Sequence, residues 1–283
     1  MPGSFVLRLL DGAAEQKGPA MADNVFQFPV QGAPAEGVNT AGVYQVKATL
    51  LYTEPVIWRR FLIPADDTFF MLGDAILGAF DWSGEYGFYF HKGGMFLDDP
   101  LLAEGSAKMP RMKGEVHVNA DDKLINELLK PGDAVEFFYD MEDYWEVDVE
   151  IERLLPDSAA PFPFMPVCLG GARMAPPEGV GGTIGYADFC EVLNNPLDSR
   201  YRETREWLGL RPGERFDPER FSPFDVNGSF AIEVLDDFEK DILPEKVEDL
   251  REFCKMLLAD KMASYASAVI ATQWSDGEEP AQQ

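Results

Sequence analysis

Alternation between apolar and polar residues is the clearest pattern in the chain, and it is strongest in two stretches. Apolar residues occupy every second position of residues 44–50 and of residues 145–151, where Glu146, Asp148 and Glu150 lie between them. A period of two predicts strands with one buried face and one face turned to water. The second stretch therefore predicts a column of carboxylates along the wet face of a sheet.

Other patterns predict the elements around these two strands. Residues 56–63 form another β-like run, and the turn at Glu54-Pro55 predicts that this run pairs with the first strand as a hairpin. Thr68 predicts an N-cap, and apolar residues at helical spacing predict a helix that ends near Phe80. Short strands are also predicted at residues 85–91, 95–97, 116–118 and 135–139.

The second half of the chain has fewer regular patterns. Residues 156–185 are rich in Pro and Gly and predict a loop. Short helices are predicted at residues 187–193 and 199–208, and amphipathic helices at residues 229–272.

Composition and local character divide the chain into four segments. Residues 1–40 predict an N-terminal appendage and linker, because much of this stretch is Gly, Pro and Ala. We assign residues 41–228 to an α+β domain and residues 229–274 to a C-terminal helical extension. Residues 275–283 predict a disordered tail.

The charge balance narrows the classes of partner. The chain of 283 residues has 50 Asp and Glu against 24 Lys and Arg, a formal net charge of -26. Nucleic acid and anionic membrane are disfavoured because both are bound mainly through Lys and Arg. We therefore expect an unknown protein partner, no direct binding to nucleic acid and no membrane. The three cysteines are Cys168, Cys190 and Cys254, and their odd number and long spacings predict a cytoplasmic protein without disulfides.

Several short motifs occur in an order that resembles the plasmid pRiA ORF-3-like family, which is found on plasmids, in insertion elements and in bacterial chromosomes. They are Ile57-Trp58-Arg59-Arg60, Phe80-Asp81-Trp82, Asp143-Tyr144-Trp145-Glu146, Pro176-Pro177-Glu178, Gly181-Gly182 and Gly185-Tyr186. Each motif is short, and their conjunction makes the resemblance specific. The resemblance implies an α+β fold with a curved mixed or antiparallel sheet packed by helices and with added C-terminal helices. It implies no activity, because the family has no established biochemical function.

The chain departs from the pattern of this family at residues that could carry chemistry. The resemblance places histidines at three positions that hold Tyr86, Phe88 and Val147 here. It also places a cysteine where this chain has Ala175, and a glycine where it has Glu142. Any metal site or acid–base step that depends on those imidazoles and that thiol is therefore not expected in this protein.

The remaining candidates for chemistry each have a structural alternative. His91 and His117 are the two histidines, and neither has the spacing of a zinc site. The acidic turn at residues 140–143 predicts a solvated hairpin turn rather than a Mg²⁺ or Ca²⁺ site. Cys168 lacks a local base, and the glycines of residues 179–185 lack the Lys of a phosphate-binding loop. We therefore predict no catalytic residue, no metal and no cofactor.

Arg59 and Arg60 are neighbours in a predicted strand, so their side chains point to opposite faces and cannot form one phosphate clamp. Their expected role is to pair with carboxylates at the edge of the core, such as Asp140 or Glu178.

These patterns predict a non-catalytic module that binds a protein partner through a groove lined by motif residues. The groove residues are Trp58, Arg59, Trp82, Tyr139, Asp140, Asp143, Trp145, Glu178 and Tyr186. One alternative is a hydrolase-like enzyme in which Asp140, Asp143 and Glu178 hold a divalent ion. The other alternative is an accessory protein of mobile elements that associates with nucleic acid.

Overall fold

The computed structural model describes residues 42–104, 114–156, 159 and 166–230. Its centre is an eight-stranded sheet with the order β5-β4-β3-β6-β7-β1-β2-β8, in which β4 and β5 are parallel and the other neighbours antiparallel. The strands are β1 (Val43–Leu50), β2 (Ile57–Pro64), β3 (Phe88–Lys92), β4 (Met95–Asp98), β5 (Val116–Asn119), β6 (Ala134–Tyr139), β7 (Trp145–Leu155) and β8 (Val167–Ala172). This mixed sheet with its helices confirms the predicted α+β fold.

The helices are shorter elements between and after the strands. They are α1 (Phe69–Phe80), α2 (Pro100–Glu104), α3 (Ile125–Leu128), α4 (Gly182–Asn194) and α5 (Tyr201–Trp207), with a 3₁₀ turn at Ala120–Asp122 and helical backbone at residues 223–230. The predicted C-terminal helices beyond residue 230 and the predicted N-terminal appendage lie outside the described residues. In the described part of the chain, no helix combines the length and the apolar character needed to cross a membrane.

Alternation along the strands gives the sheet one apolar and one largely polar face. The inner face packs against α1 and α4 in the main core, and its strand residues include Ala48, Arg59, Phe88, Phe137, Tyr139, Trp145, Val147 and Val149. The outer face bears the intervening side chains, among them Lys47, Trp58, Arg60, Tyr89, Glu136, Phe138, Glu146, Asp148 and Glu150. Leu102 of α2 packs on the outer face against Tyr89 and Phe138. The column of carboxylates predicted along β7 therefore lies on the outer face.

Helix α1 begins and ends where the sequence predicts. The Thr68 hydroxyl accepts a hydrogen bond from the amide of Met71 at 3.2 Å, which satisfies one of the free amides of the first turn. Asp81 ends the helix in a left-handed conformation, with φ of 57°. Since Leu72, Ile76 and Phe80 are all fully buried, the apolar stripe of α1 covers the inner face.

The predicted loop over residues 156–185 is wrong in two places. Residues 167–172 form β8, which pairs with β2 across a register shift between Arg60 and Phe61. Helix α4 also starts five residues earlier than predicted, at Gly182 instead of Ala187. Glycines obscure both elements in the sequence, because glycine is disfavoured in strands and in helices alike.

Candidate functional site

Two loops that carry sequence motifs and the end of β6 meet at the carboxylate of Glu178. We call this place, together with the β6–β7 turn beside it, the loop junction. Glu178 Oε1 accepts hydrogen bonds from the amide and the hydroxyl of Ser83, each at 3.0 Å, and from the Tyr139 hydroxyl. The Tyr139 oxygen in turn accepts a hydrogen bond from the amide of Gly84 at 3.0 Å. The junction therefore fixes the α1–β3 loop and the segment before α4 to the end of β6.

Asp143, in the β6–β7 turn, ties the same segment from the other side. Its two carboxylate oxygens accept hydrogen bonds from the amides of Gly179, at 2.9 Å, and Gly181, at 3.1 Å. Gly182 has a φ of 66°, and a Cβ at this position would collide with the backbone carbonyl of Asp143. The glycine-rich stretch thus begins α4 and packs against the turn, and the acceptor for its amides is a carboxylate of the protein itself.

A stack of aromatic rings lies beneath the junction. The Trp82 ring stacks on Phe80, Tyr139 and Trp145, with ring centroids 4.8, 5.3 and 5.6 Å apart. The Trp82 indole donates a hydrogen bond to the carbonyl of Pro176 at 3.1 Å. Because Trp82 and Tyr139 are both buried, the stack belongs to the core and is not open to a ligand in this conformation.

Arg59 lies in the inner face and is 3% exposed. Its guanidinium donates hydrogen bonds to the carbonyl oxygens of Ala79, Trp58 and Ala172 at 2.9, 2.9 and 3.0 Å. It is also sandwiched between the rings of Phe80 and Phe221, at 5.1 and 4.7 Å from their centres. Burial lowers the pKa of the Arg59 guanidinium to about 10, so the group stays charged at neutral pH.

The predicted pairing with carboxylates is wrong for Arg59, and for Arg60 it is confirmed with Glu152 in place of the named Asp140 or Glu178. Arg59 uses backbone carbonyls, because the ends of α1 and β8 present free oxygens to it. Arg60 lies on the outer face and forms a two-pronged ion pair with Glu152, with N–O distances of 2.6 and 2.7 Å. The prediction that the two side chains point to opposite faces is confirmed.

The structure places the nine groove residues on both faces of the sheet. Six are buried: Arg59, Trp82, Tyr139, Asp140, Trp145 and Tyr186. Glu178 and Asp143 are half-buried in the loops described above, and Trp58 lies half-buried on the outer face, away from the others. The junction therefore brings together Trp82, Tyr139, Asp143, Trp145 and Glu178. A role for these residues in binding stays a prediction.

The positions at which the resemblance places histidines have different surroundings. Phe88 and Val147 are fully buried in the inner face, where an imidazole would have to be desolvated. Tyr86 is 46% exposed and packs edge-on against Tyr139. Two of the three positions are thus part of the apolar core.

The side chains considered for metal binding or for thiol chemistry are buried or engaged with neighbouring groups of the protein. Among the residues that the structure describes, no group of three His, Cys, Asp or Glu is placed to hold a metal ion. Asp140 accepts a hydrogen bond from the amide of Glu142 at 2.8 Å. Burial raises the pKa of the Cys168 thiol to about 12, which disfavours the nucleophilic thiolate. Both histidines pair with carboxylates through Nδ1 at 2.7 Å, His91 with Glu136 and His117 with Asp98.

Two structural residues escaped the sequence reasoning. The buried side chain of Asn227 accepts a hydrogen bond from the amide of Cys168 at 2.8 Å and donates one to its carbonyl at 2.9 Å. Ser83 supplies two of the donors to Glu178. Ser83 stands in no recognisable pattern, whereas Asn227 ends the run of residues 216–227, which also carries the resemblance but does not predict this contact.

The fold and the loop junction define an α+β protein with an open mixed sheet, in which short sequence motifs tie three loops together beside the end of β6. The chain belongs to the plasmid pRiA4b ORF-3-like protein family, whose model matches residues 42–225. It is 30% identical over 172 residues to the uncharacterized protein y4hQ of Sinorhizobium fredii, covering 60% of this chain and 82% of the relative. A crystal structure of a protein of unknown function, MM3350 from Methanosarcina mazei Go1, is similar with a TM-score of 0.52 and 30% identity, covering 65% of this chain and 96% of that one.

Proposed function

We propose that this protein is a non-catalytic binding module for a protein partner. The observation that carries this proposal is the state of the motif residues at the loop junction. Glu178 and Asp143 accept hydrogen bonds from amides and hydroxyls of neighbouring loops, and Trp82 and Trp145 are buried in the stack. Groups that are engaged in this way support a scaffold, because a general acid, base or nucleophile needs access to a substrate.

The surface features that suit recognition lie outside the junction. Tyr144 at the β6–β7 turn is 50% exposed, and its ring packs on Phe138 of the outer face. Trp58 keeps part of its ring accessible on the outer face. Partly exposed aromatic side chains beside charged residues are typical of protein interfaces, where they supply apolar area and orientation at once. The outer face of the sheet is therefore the surface that we assign to the partner.

Selection from a displayed library of random peptides against the full-length protein tests this proposal. We expect the selected peptides to slow amide hydrogen exchange in β6 and β7 and in the turn between them. Protection confined to the inner core, or no enrichment of peptides, would contradict the proposal. A rise in melting temperature with Mg²⁺ or Mn²⁺ that Asp140→Asn abolishes would favour the hydrolase-like alternative instead.

A further inference from the structure

The outer face already holds two cations of the chain itself. The Lys47 ammonium lies 5.8 Å and the Arg60 guanidinium 5.1 Å from the centre of the Trp58 ring. Arg60 also forms the ion pair with Glu152. At this end of the sheet, an aromatic ring and a carboxylate together therefore bind a guanidinium.

The other end of the outer face has a similar set of groups. Tyr144 packs on Phe138 with ring centroids 5.5 Å apart, and its hydroxyl lies 3.1 Å from that of Tyr89. Glu146 stands directly across the strand pair from Phe138. Asp148 follows two residues later on the same face. Within the described residues, no Lys or Arg forms an ion pair with Glu146 or Asp148, so this end has the rings and the carboxylates without a cation.

Two local features of this patch carry a cost in stability. Tyr144 has a φ of 54°, and this left-handed conformation is unfavourable for a residue with a Cβ. Asp148 faces Glu136 directly across β6 and β7, and like charges in that position repel each other. His91 partly offsets this through its contact with Glu136 at 2.7 Å. Such costs at an exposed place are common where a surface is shaped for binding.

We propose that Tyr144, Glu146 and Asp148 form a docking surface for an extended segment of a partner protein that has arginines at alternate positions. The inference rests on the proposed function and names the chemistry of the partner. Side chains two residues apart on an extended chain are about 6.6–6.8 Å apart on one face, which matches the spacing of Glu146 and Asp148 along β7. The first guanidinium lies against Tyr144 and pairs with Glu146, and the second pairs with Asp148. Arginine is preferred over lysine because it stacks on rings and pairs with carboxylates through two bonds.

The test uses two labelled peptides of equal composition, one with the sequence Gly-Arg-Gly-Arg-Gly and one with Gly-Arg-Arg-Gly-Gly. Adjacent arginines of an extended peptide point to opposite faces, so only one of them reaches the carboxylates. Fluorescence anisotropy at physiological salt should show that the full-length protein binds the alternating peptide about fivefold more tightly. Equal binding of the two peptides, or no binding, would overturn the proposal.

Variants separate this surface from general attraction to an acidic protein. Glu146→Gln/Asp148→Asn should weaken binding of the alternating peptide about tenfold. The matched control is Glu191→Gln/Glu203→Gln, because both residues are exposed on helices α4 and α5 and the change in charge is the same. An equal loss in both double variants would refute the docking surface.

A third variant removes the ring and keeps the backbone. Tyr144→Asn should weaken binding with an unchanged near-ultraviolet circular dichroism of the core, since asparagine tolerates a positive φ. Unchanged affinity would refute the role of the ring. Library selection that yields outer-face binders without arginine would overturn this inference and leave the binding module standing, whereas a selection without any binder would remove both.

Discussion

Replacing Arg59 by lysine tests whether a buried guanidinium joins α1, β2 and β8. The ammonium of Arg59→Lys keeps the positive charge, but it cannot donate to all three carbonyl oxygens that Arg59 contacts or stack as a plane between two rings. We therefore expect a large loss of stability. Arg60→Lys in the same strand is the matched control, because Arg60 is on the outer face and partly exposed.

The size of the loss follows from the contacts. A hydrogen bond from a charged donor contributes about 1.5–3 kcal/mol, so the loss of two such bonds at the lower bound costs about 3 kcal/mol. Weaker packing on Phe80 and Phe221 adds about 0.5–1 kcal/mol. Arg60→Lys replaces a two-pronged, partly exposed ion pair by a single contact, which costs at most about 1 kcal/mol. The expected difference between the variants is therefore about 2.5–4 kcal/mol.

Urea unfolding followed by tryptophan fluorescence measures both variants. We expect a clear fall in the unfolding midpoint for Arg59→Lys and a small one for Arg60→Lys, with similar slopes for both. A loss for Arg60→Lys equal to or greater than that for Arg59→Lys would refute the assignment of Arg59 as the buried link. A neutral Arg59→Lys would show that the carbonyls of α1 and β8 find other donors.

Two substitutions at the loop junction and one at the partly buried carboxyl of Asp67 give three more measurable outcomes. Tyr139→Phe removes the hydroxyl that donates to Glu178, so the free energy of unfolding should fall by about 1–3 kcal/mol. Amide hydrogen exchange in the loops of the junction should become faster, and unchanged exchange there would contradict the junction. Asp143→Ala removes the acceptor at the start of α4 and should lower the free energy of unfolding by about 1 kcal/mol, whereas Glu142→Gln should leave the urea midpoint unchanged. Burial, helped by a neighbouring carboxylate, raises the pKa of Asp67 to about 6 from an ordinary value of 3.8. The folded state thus holds this proton more tightly, and stability should fall as the pH rises from about 4 to about 6. Asp67→Asn should abolish that fall and stabilise the protein by about 1–3 kcal/mol at neutral pH, and a retained pH dependence would assign it to another group.

Elements with a strong local signal in the sequence could be predicted, and they include the central strand β7 and the helix α1. Strand β7 alternates without interruption, and α1 has both a Thr68 cap and an apolar stripe. In each case the residues that pack together lie within one short segment, so their spacing alone identifies the buried face. The column of carboxylates on the outer face follows from the same alternation.

Elements whose stability comes from distant residues could not be predicted. Strand β8 contains Gly170 and Gly171 and exists because β2 offers it an edge to pair with. The first turn of α4 depends on Asp143, which is far away in the chain. Local propensity is unfavourable in both segments, and tertiary contacts override it.

The candidate groove illustrates how a grouping by motif can disagree with the geometry of a strand. Trp58 and Arg59 are neighbours in one motif and also neighbours in β2, so alternation directs them to opposite faces of the sheet, as it does Arg59 and Arg60. The motif therefore does not mark one binding surface, because Arg59 lies in the core and Trp58 lies on the outer face. The grouping by motif could have been corrected from the sequence by the same rule of parity.

Phe88 and Val147, at two positions where the resemblance places histidines, are part of the apolar core in this chain. Both side chains are fully buried beside Phe137 on the inner face, and apolar groups there gain from burial what an imidazole would lose by desolvation. The hydrogen bonds of Glu178 and Asp143 connect loops and backbone amides and do not involve either position. The loop junction thus does not depend on an imidazole at either position, and the surface that we propose for a partner, around Tyr144, Glu146 and Asp148, lies on the outer face.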